Sequence, residues 1–209
     1  LVILAAGASS RMKKSLGTKN LSEEEVINAN TRSKALLGFG KNNRPILDFL
    51  LLNAEKAGYK NVLIIISEKG ALFKTYYGGK QKNNSFNELS ISYATQYLPK
   101  DRVKPFGTAD ALFQALTQFP ELQHEAFTVC NSDNLYSVAA LQALLTCKDA
   151  NSFINYDRDA LLFPMEKIER FALTLIDENS HLEAIIEKPS KDKVSNYKDA
   201  KGKFRVSMN

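Results

Sequence analysis

The run Asn61 to Ser67, NVLIIIS, is apolar at successive positions rather than at alternate ones. Successive strand residues point to opposite faces of a sheet, so both faces of this strand must be covered. The preceding segment supplies one cover. Ile46, Leu47, Leu50, Leu51 and Ala54 recur at helical spacing, with Pro45 at the start and Gly58 just past the end. Leu1 to Leu4 is a second short apolar run, and Leu89 to Thr95 reads as a further strand. Helices alternating with continuously apolar strands specify a mainly parallel sheet with helices on both faces, an α/β protein.

The remaining elements follow the same alternation. Ala71 to Tyr77 reads as a short helix ended by Gly78-Gly79, and residues 80–88 as a polar loop. Thr108 suits an N-cap for a helix whose buried stripe is Ala111, Leu112, Ala115 and Leu116. Ala126 to Cys130 is expected as a strand, Ser137 to Thr146 as a helix, and Asn151 to Tyr156 as another strand. Phe171 to Ile176 and Leu182 to Ile186 flank Asp177-Glu178-Asn179-Ser180, as the arms of a hairpin do. Between Lys13 and Ser33 few apolar anchors occur, and this segment reads either as a functional lid or as a disordered insertion. A Ser22-Glu23-Glu24-Glu25 run within it suits the start of a brief helix.

A length of 209 residues suits one α/β domain spanning 1–209, and the Leu start and apolar FRVSMN end read as trimmed at both ends. The net charge of +5 comes from scattered Lys and Arg rather than from a block. That distribution suits anionic small molecules at least as well as nucleic acid. Cys130 and Cys147 sit in apolar patterns without metal-ligand spacing, so core thiols of a reducing compartment are expected. No apolar run is long enough to span a bilayer, and no signal peptide is visible.

Polar groups cluster just after the expected strands. Ala5, Ala6, Gly7, Ala8, Ser9 and Ser10 follow the first strand, with Arg11, Lys13 and Lys14 behind them. A small-residue loop with cations behind it reads either as a phosphate cradle or as a tight strand-to-helix turn. Gln96 ends a strand, Asp133 follows another, and Glu187-Lys188 follows the hairpin. In open α/β sheets ligands bind outside the carboxyl ends of the strands. Cations around one carboxylate suit a phosphorylated substrate bridged by Mg²⁺. Each residue also has a plainer reading. Asp133 can cap a turn, Glu187 and Lys188 can be a solvated pair, and Gln96 can leave the sheet into solvent. His124, His181 and the Tyr76-Tyr77 pair read as surface and packing residues.

LAAGASSRM followed by Lys34 resembles the signature loop of the sugar nucleotidyltransferase family. Gln96 followed by Pro105-Phe106-Gly107-Thr108-Ala109-Asp110 resembles its nucleobase-binding region. Asn131-Ser132-Asp133-Asn134 resembles its metal-binding motif, and Glu187-Lys188-Pro189 its sugar-phosphate motif. Val206-Ser207-Met208-Asn209 resembles the start of the strand that follows. The second glycine of the loop is replaced by Ser9, as in the small cytidylyl- and molybdopterin-type members. The segment LGFGKNNRPILDF resembles a bacterial branch of the family.

The resemblance implies a three-layer, Rossmann-like nucleotidyltransferase fold of the GT-A-like kind, with a mixed and mainly parallel sheet. It implies attack of a sugar 1-phosphate on the α-phosphate of an NTP, with release of pyrophosphate. Arg11 and Lys34 would contact NTP phosphates, with Lys13, Lys14 and Arg32 as the other cations able to take the role of Lys34. Ala6, Gly7, Ala8 and Ser9 would hold the nucleotide, and Gln96, Gly107 and Thr108 would lie at the base. Asp133 would bind Mg²⁺, with a second metal carboxylate beyond Asn209. Glu187 would hold sugar hydroxyls and Lys188 the sugar phosphate. A cytoplasmic enzyme follows, without nucleic-acid or membrane partners, with homo-oligomerisation left open. Two alternatives stay open: transfer to a non-sugar phosphorylated acceptor, and a catalytically silent nucleotide-binding module. A Rossmann dehydrogenase fits less well, because the loop lacks its third glycine.

Overall fold

In the computed structural model the described residues are 1–7, 26, 32–102, 104–187, 197–199 and 201–207. Ala8, Ser9, Arg11, Lys13, Lys14, Lys188 and the Ser22–Glu25 run lie outside them. The chain divides into two units, Leu1–Cys147 and Lys148–Asn209.

The first unit is built on a sheet of β1 (Val2–Leu4), β4 (Asn61–Ser67), β5 (Asn84–Phe86), β6 (Leu89–Gln96) and β7 (Val129–Asn131). Their order is β5-β6-β4-β1-β7. β1 pairs parallel with β4 and β7, and β4 pairs parallel with β6. β5 runs antiparallel to β6 at one edge. The chain therefore builds outward from β1 through β4 to β6, then crosses back to place β7 on the other side of β1. That reversal opens a crevice at the carboxyl ends of β1 and β7.

Alternation along β4 decides which helix covers which face. Val62, Ile64 and Ile66 pack with Ile3, Leu47, Leu50, Leu51, Phe73 and Leu141. Leu47, Leu50 and Leu51 come from α1 (Ile46–Ala57), Phe73 from α2 (Ala71–Tyr77) and Leu141 from α4 (Val138–Thr146). Leu63 and Ile65 turn the other way and pack with Val2, Ala94, Ala111 and Ala115, the last two from α3 (Thr108–Gln118). The three layers expected from the unbroken apolar run are thus present. Ile64 and Ile65 are both fully buried, and each contributes on the order of 1.5–3 kcal/mol of burial.

The ends of these helices follow local chemistry. Gly58 closes α1 in the left-handed region at φ 103°, and its N–H reaches the carbonyls of Ala54 and Glu55. Ser137 caps α4 by accepting from the Ala140 N–H. Gly107, not Thr108, holds the N-cap position of α3, at φ +131°, a region L side chains avoid. A two-stranded antiparallel ribbon, β2 (Gly38–Phe39) and β3 (Arg44–Pro45), leads into α1.

Cys130 lies in the core, where burial pushes its thiol up to about 12. No disulfide joins Cys130 to Cys147. Tyr77 packs in the core and donates to Asp48 Oδ1 at 2.6 Å, while Tyr76 stays exposed and its hydroxyl accepts from Arg32 Nη1 at 3.2 Å.

The second unit carries a separate antiparallel sheet in the order β10-β9-β11-β8. β9 (Ala172–Ile176) and β10 (Leu182–Ile186) are the expected hairpin. β11 (Arg205–Ser207) joins β9 to β8 (Tyr156–Asp157). The strand expected over Asn151 to Tyr156 is absent from 151–155, and β8 begins only at Tyr156. Asn155 instead uses its side-chain carbonyl to accept from the buried Thr174 hydroxyl at 2.7 Å. A short α5 (Met165–Ile168) precedes the hairpin and buries Ile168.

Candidate active site

Four parallel strands of the first unit end at one rim, and three of them, β1, β6 and β7, run into residues the sequence singled out. β1 runs into Ala5, Ala6 and Gly7. The Ala5 N–H still donates to Ile65 O at 2.8 Å, so the sheet holds the chain up to the point where the loop departs. Ala5 is buried and Gly7 exposed, with open space where a Gly7 Cβ would stand.

β7 ends beside that departure point. The buried Ser132 donates its N–H to Leu4 O at 3.1 Å, which locks the start of the Asp133 turn to the end of β1. Tyr136 secures the rest. Its hydroxyl accepts from the Asn131 N–H and from Asn134 Nδ2, each at 3.3 Å. Its carbonyl accepts from Asn53 Nδ2 of α1 at 2.8 Å. The turn is therefore held on three sides, and the Asp133 side chain stands out from a fixed backbone. The capping role is filled by Ser137. The Asp133 carboxylate faces a cation instead, with Lys34 Nζ 3.2 Å from Oδ2.

Lys34 owes its place to its two neighbours. It opens a single 3-10 turn, Lys34–Leu36, in which Ala35 and Leu36 are buried in the same core as α1. Ile46, the first residue of α1, donates its N–H to Leu37 O at 3.0 Å. The sequence leaves four cations eligible for this position. Lys34 is the one beside Asp133 among the described residues, whereas Arg32 turns to the Tyr76 hydroxyl.

Gln96 ends β6, but it does not leave the sheet into solvent. It is 6% exposed. Its Nε2 donates to Gly107 O at 3.2 Å and to Asp110 Oδ2 at 2.7 Å. Asp110 Oδ2 also accepts from Gln114 Nε2 at 3.0 Å. Gln114 Oε1 in turn accepts the Tyr97 N–H at 2.8 Å. One turn further, Gln118 brackets the Thr95 peptide, accepting its N–H and donating to its carbonyl. β5 stops short of this part of β6, and the α3 side chains take the backbone groups a neighbouring strand would have satisfied. A carboxylate only accepts, so Asp110 fixes the Gln96 amide with Nε2 inward. In the sequence Asp110 stands within the base-region motif with no role of its own, and nothing there marks Tyr136. The i, i+4 spacing of Asp110, Gln114 and Gln118 was the available signal.

Asp110→Ala is expected to cost about 1–3 kcal/mol, because it removes the charged acceptor that the Gln96 and Gln114 amides share. Urea denaturation checks this; an unchanged midpoint would show that the network carries no stability.

Glu187 follows β10 directly and is exposed, within the second unit. Lys188 lies outside the described residues. Among the described residues no group of three or more His, Cys, Asp and Glu side chains is placed to hold a metal ion.

A switch-point crevice, with Ala5, Ala6 and Gly7 leaving β1 and a Lys–Asp pair beside it, is the place where open α/β sheets bind their ligands. The chain belongs to the nucleotidyl transferase family, whose pattern it matches over residues 29–204. Lys34, Gln96, Gly107, Asp133, Glu187 and Lys188 fall inside that match, and the Gly7–Arg11 loop precedes it. The chain is 24% identical over 164 residues to a glucose-1-phosphate adenylyltransferase of Anaeromyxobacter dehalogenans, covering 77% of this chain and 38% of that protein. It is 28% identical over 139 residues to the Bacillus licheniformis enzyme of the same name, covering 66% of this chain and 33% of that protein. For the Clostridium novyi enzyme of that name the identity is 24% over 198 residues, with 92% and 47% covered. The chain thus spans a third to a half of the length of these relatives. Among solved structures, a UDP-glucose pyrophosphorylase complexed with UDP-glucose shares the fold at a TM-score of 0.64 and 16% identity, covering 98% of this chain and 72% of that one.

Proposed function

We propose that this chain carries the nucleotidyl-transfer site of an enzyme that joins an NTP to a sugar 1-phosphate, giving a nucleoside diphosphate sugar and pyrophosphate. The observation that carries this reading is the Lys34–Asp133 pair at the crevice between β1 and β7. It sits where an open α/β sheet binds nucleotide phosphates. The similarity to glucose-1-phosphate adenylyltransferases supports a sugar 1-phosphate as acceptor.

In-line displacement at phosphorus asks for positioning and charge neutralisation rather than covalent help. The donor set fits Mg²⁺, which takes one or two carboxylates and completes its shell with water and substrate phosphates. Asp133 would hold the ion, and a bound Mg²⁺ would neutralise charge on the phosphoryl oxygens. Lys34 and Arg11 would pair with the triphosphate, and the loop from Ala6 through Ser9 would approach it with backbone amides. The nucleobase would lie near Gln96 and Thr108, against the bare backbone of Gly107, where no atom lies within 4 Å of a would-be Cβ. Glu187 would bind sugar hydroxyls and Lys188 the sugar phosphate. A cytoplasmic location, where NTPs and sugar phosphates are found, goes with this reading. Among the described residues no helix is long and apolar enough to cross a membrane.

Pyrophosphate release by the full-length protein, measured across panels of NTPs and acceptors, tests the assignment. Release is expected with a sugar 1-phosphate; release with non-sugar phosphates alone would reject the sugar acceptor. Lys188→Ala is expected to raise KM for the sugar phosphate about tenfold or more with little change in KM for the NTP, since a lost charged hydrogen bond costs about 1.5–3 kcal/mol. Equal rises for both substrates would remove Lys188 from the acceptor site.

A further inference from the structure

The reading of Asp133 as the metal ligand leaves a question of order: whether the divalent cation is resident or arrives with the nucleotide. Two observations bear on it. Lys34 Nζ already stands 3.2 Å from Asp133 Oδ2. Among the described residues, no group of three or more His, Cys, Asp and Glu side chains is gathered to hold a metal ion. We propose that Lys34 guards the Asp133 carboxylate, so that the cation enters as a metal–triphosphate complex and Lys34 passes from Asp133 to the phosphates as it does.

The charges favour that exchange. A bare dication on Asp133 would sit within a few ångströms of the Lys34 ammonium and compete with it for the same carboxylate. A metal triphosphate brings more negative charge than the metal carries, and it offers Lys34 a new partner as Asp133 is taken. The structure provides the means. The Lys34 backbone is fixed by the burial of Ala35 and Leu36. Its side chain is 45% exposed, and the flexible lysine stem lets the ammonium swing between neighbouring anions without backbone movement. The pair is exposed, so breaking it is cheap. This arrangement suits a latch released at each turnover rather than a structural bond.

The test follows Mn²⁺ alone, without nucleotide, by the loss of its free-ion electron paramagnetic resonance signal on titration with the full-length protein. Wild type is expected to bind it weakly. Lys34→Met is expected to bind it about 5- to 10-fold more tightly, as the competing ammonium is gone. Lys34→Arg retains the charge and should stay near wild type. Adding Asp133→Asn to Lys34→Met should abolish the gain. Equal Mn²⁺ affinity in wild type and Lys34→Met would overturn the latch, as would a gain that survives Asp133→Asn. The metal assignment fails separately: it falls if Asp133→Asn leaves Mn²⁺ binding unchanged in both the wild-type and Lys34→Met backgrounds.

Discussion

Asp133→Asn is expected to lower pyrophosphate release about 10²- to 10³-fold while leaving the fold intact. The substitution keeps the size and polarity of the side chain and removes its charge. Stability should hardly move, because the pair with Lys34 has side chains 45% and 41% exposed, and exposed pairs are worth about 0–1 kcal/mol. The turn itself is held by Ser132, Asn131 and Asn134 rather than by the Asp133 carboxylate. A large loss of turnover with an unchanged unfolding midpoint is therefore the signature of a group that meets the substrate or its metal. Turnover within a few-fold of wild type would remove Asp133 from the chemistry.

The second large effect reverses that pattern. Leu36→Ala should destabilise the protein by about 2–5 kcal/mol, the usual range for emptying a packed leucine site. Leu36 is 1% exposed and shares its core with Leu47, Leu50 and Leu51 of α1. It also fixes the turn from which Lys34 projects. The variant should lose stability in urea and, where folded, bind NTP less tightly. Lys34→Met should weaken NTP binding without that loss of stability. A Leu36→Ala protein with a wild-type midpoint would mean that the Lys34 turn is not anchored through the core.

Much of the first unit was legible because its signals are local. NVLIIIS forms β4 at the expected residues, and the stripe from Ile46 to Ala54 forms α1. The elements that were missed depend on distant partners. β5 covers three residues in a stretch that reads as a polar loop, and Asn84 within it is buried. Its amide donates to Lys80 O and Ile91 O and its carbonyl accepts the Lys80 N–H, so the cost of burial is met by contacts no periodicity shows. β8 and β11 are too short to display an alternation. The position of Asp133 just after a strand was legible from the apolar run that precedes it. The burial of Gln96 was not, because it depends on an Asp110 carboxylate one helical element away. Lys34 was one cation among four until the core packing of Ala35 and Leu36 set its position.

The most direct measurement uses an NTP labelled at its α-phosphorus, a sugar 1-phosphate, Mg²⁺ and the full-length protein in a single turnover. The expected result is label in a sugar-linked diphosphate, one unlabelled pyrophosphate for each label transferred, and transfer about 10²- to 10³-fold slower with Asp133→Asn. Label remaining in the NTP, or appearing as free nucleoside monophosphate with every acceptor, would contradict the account.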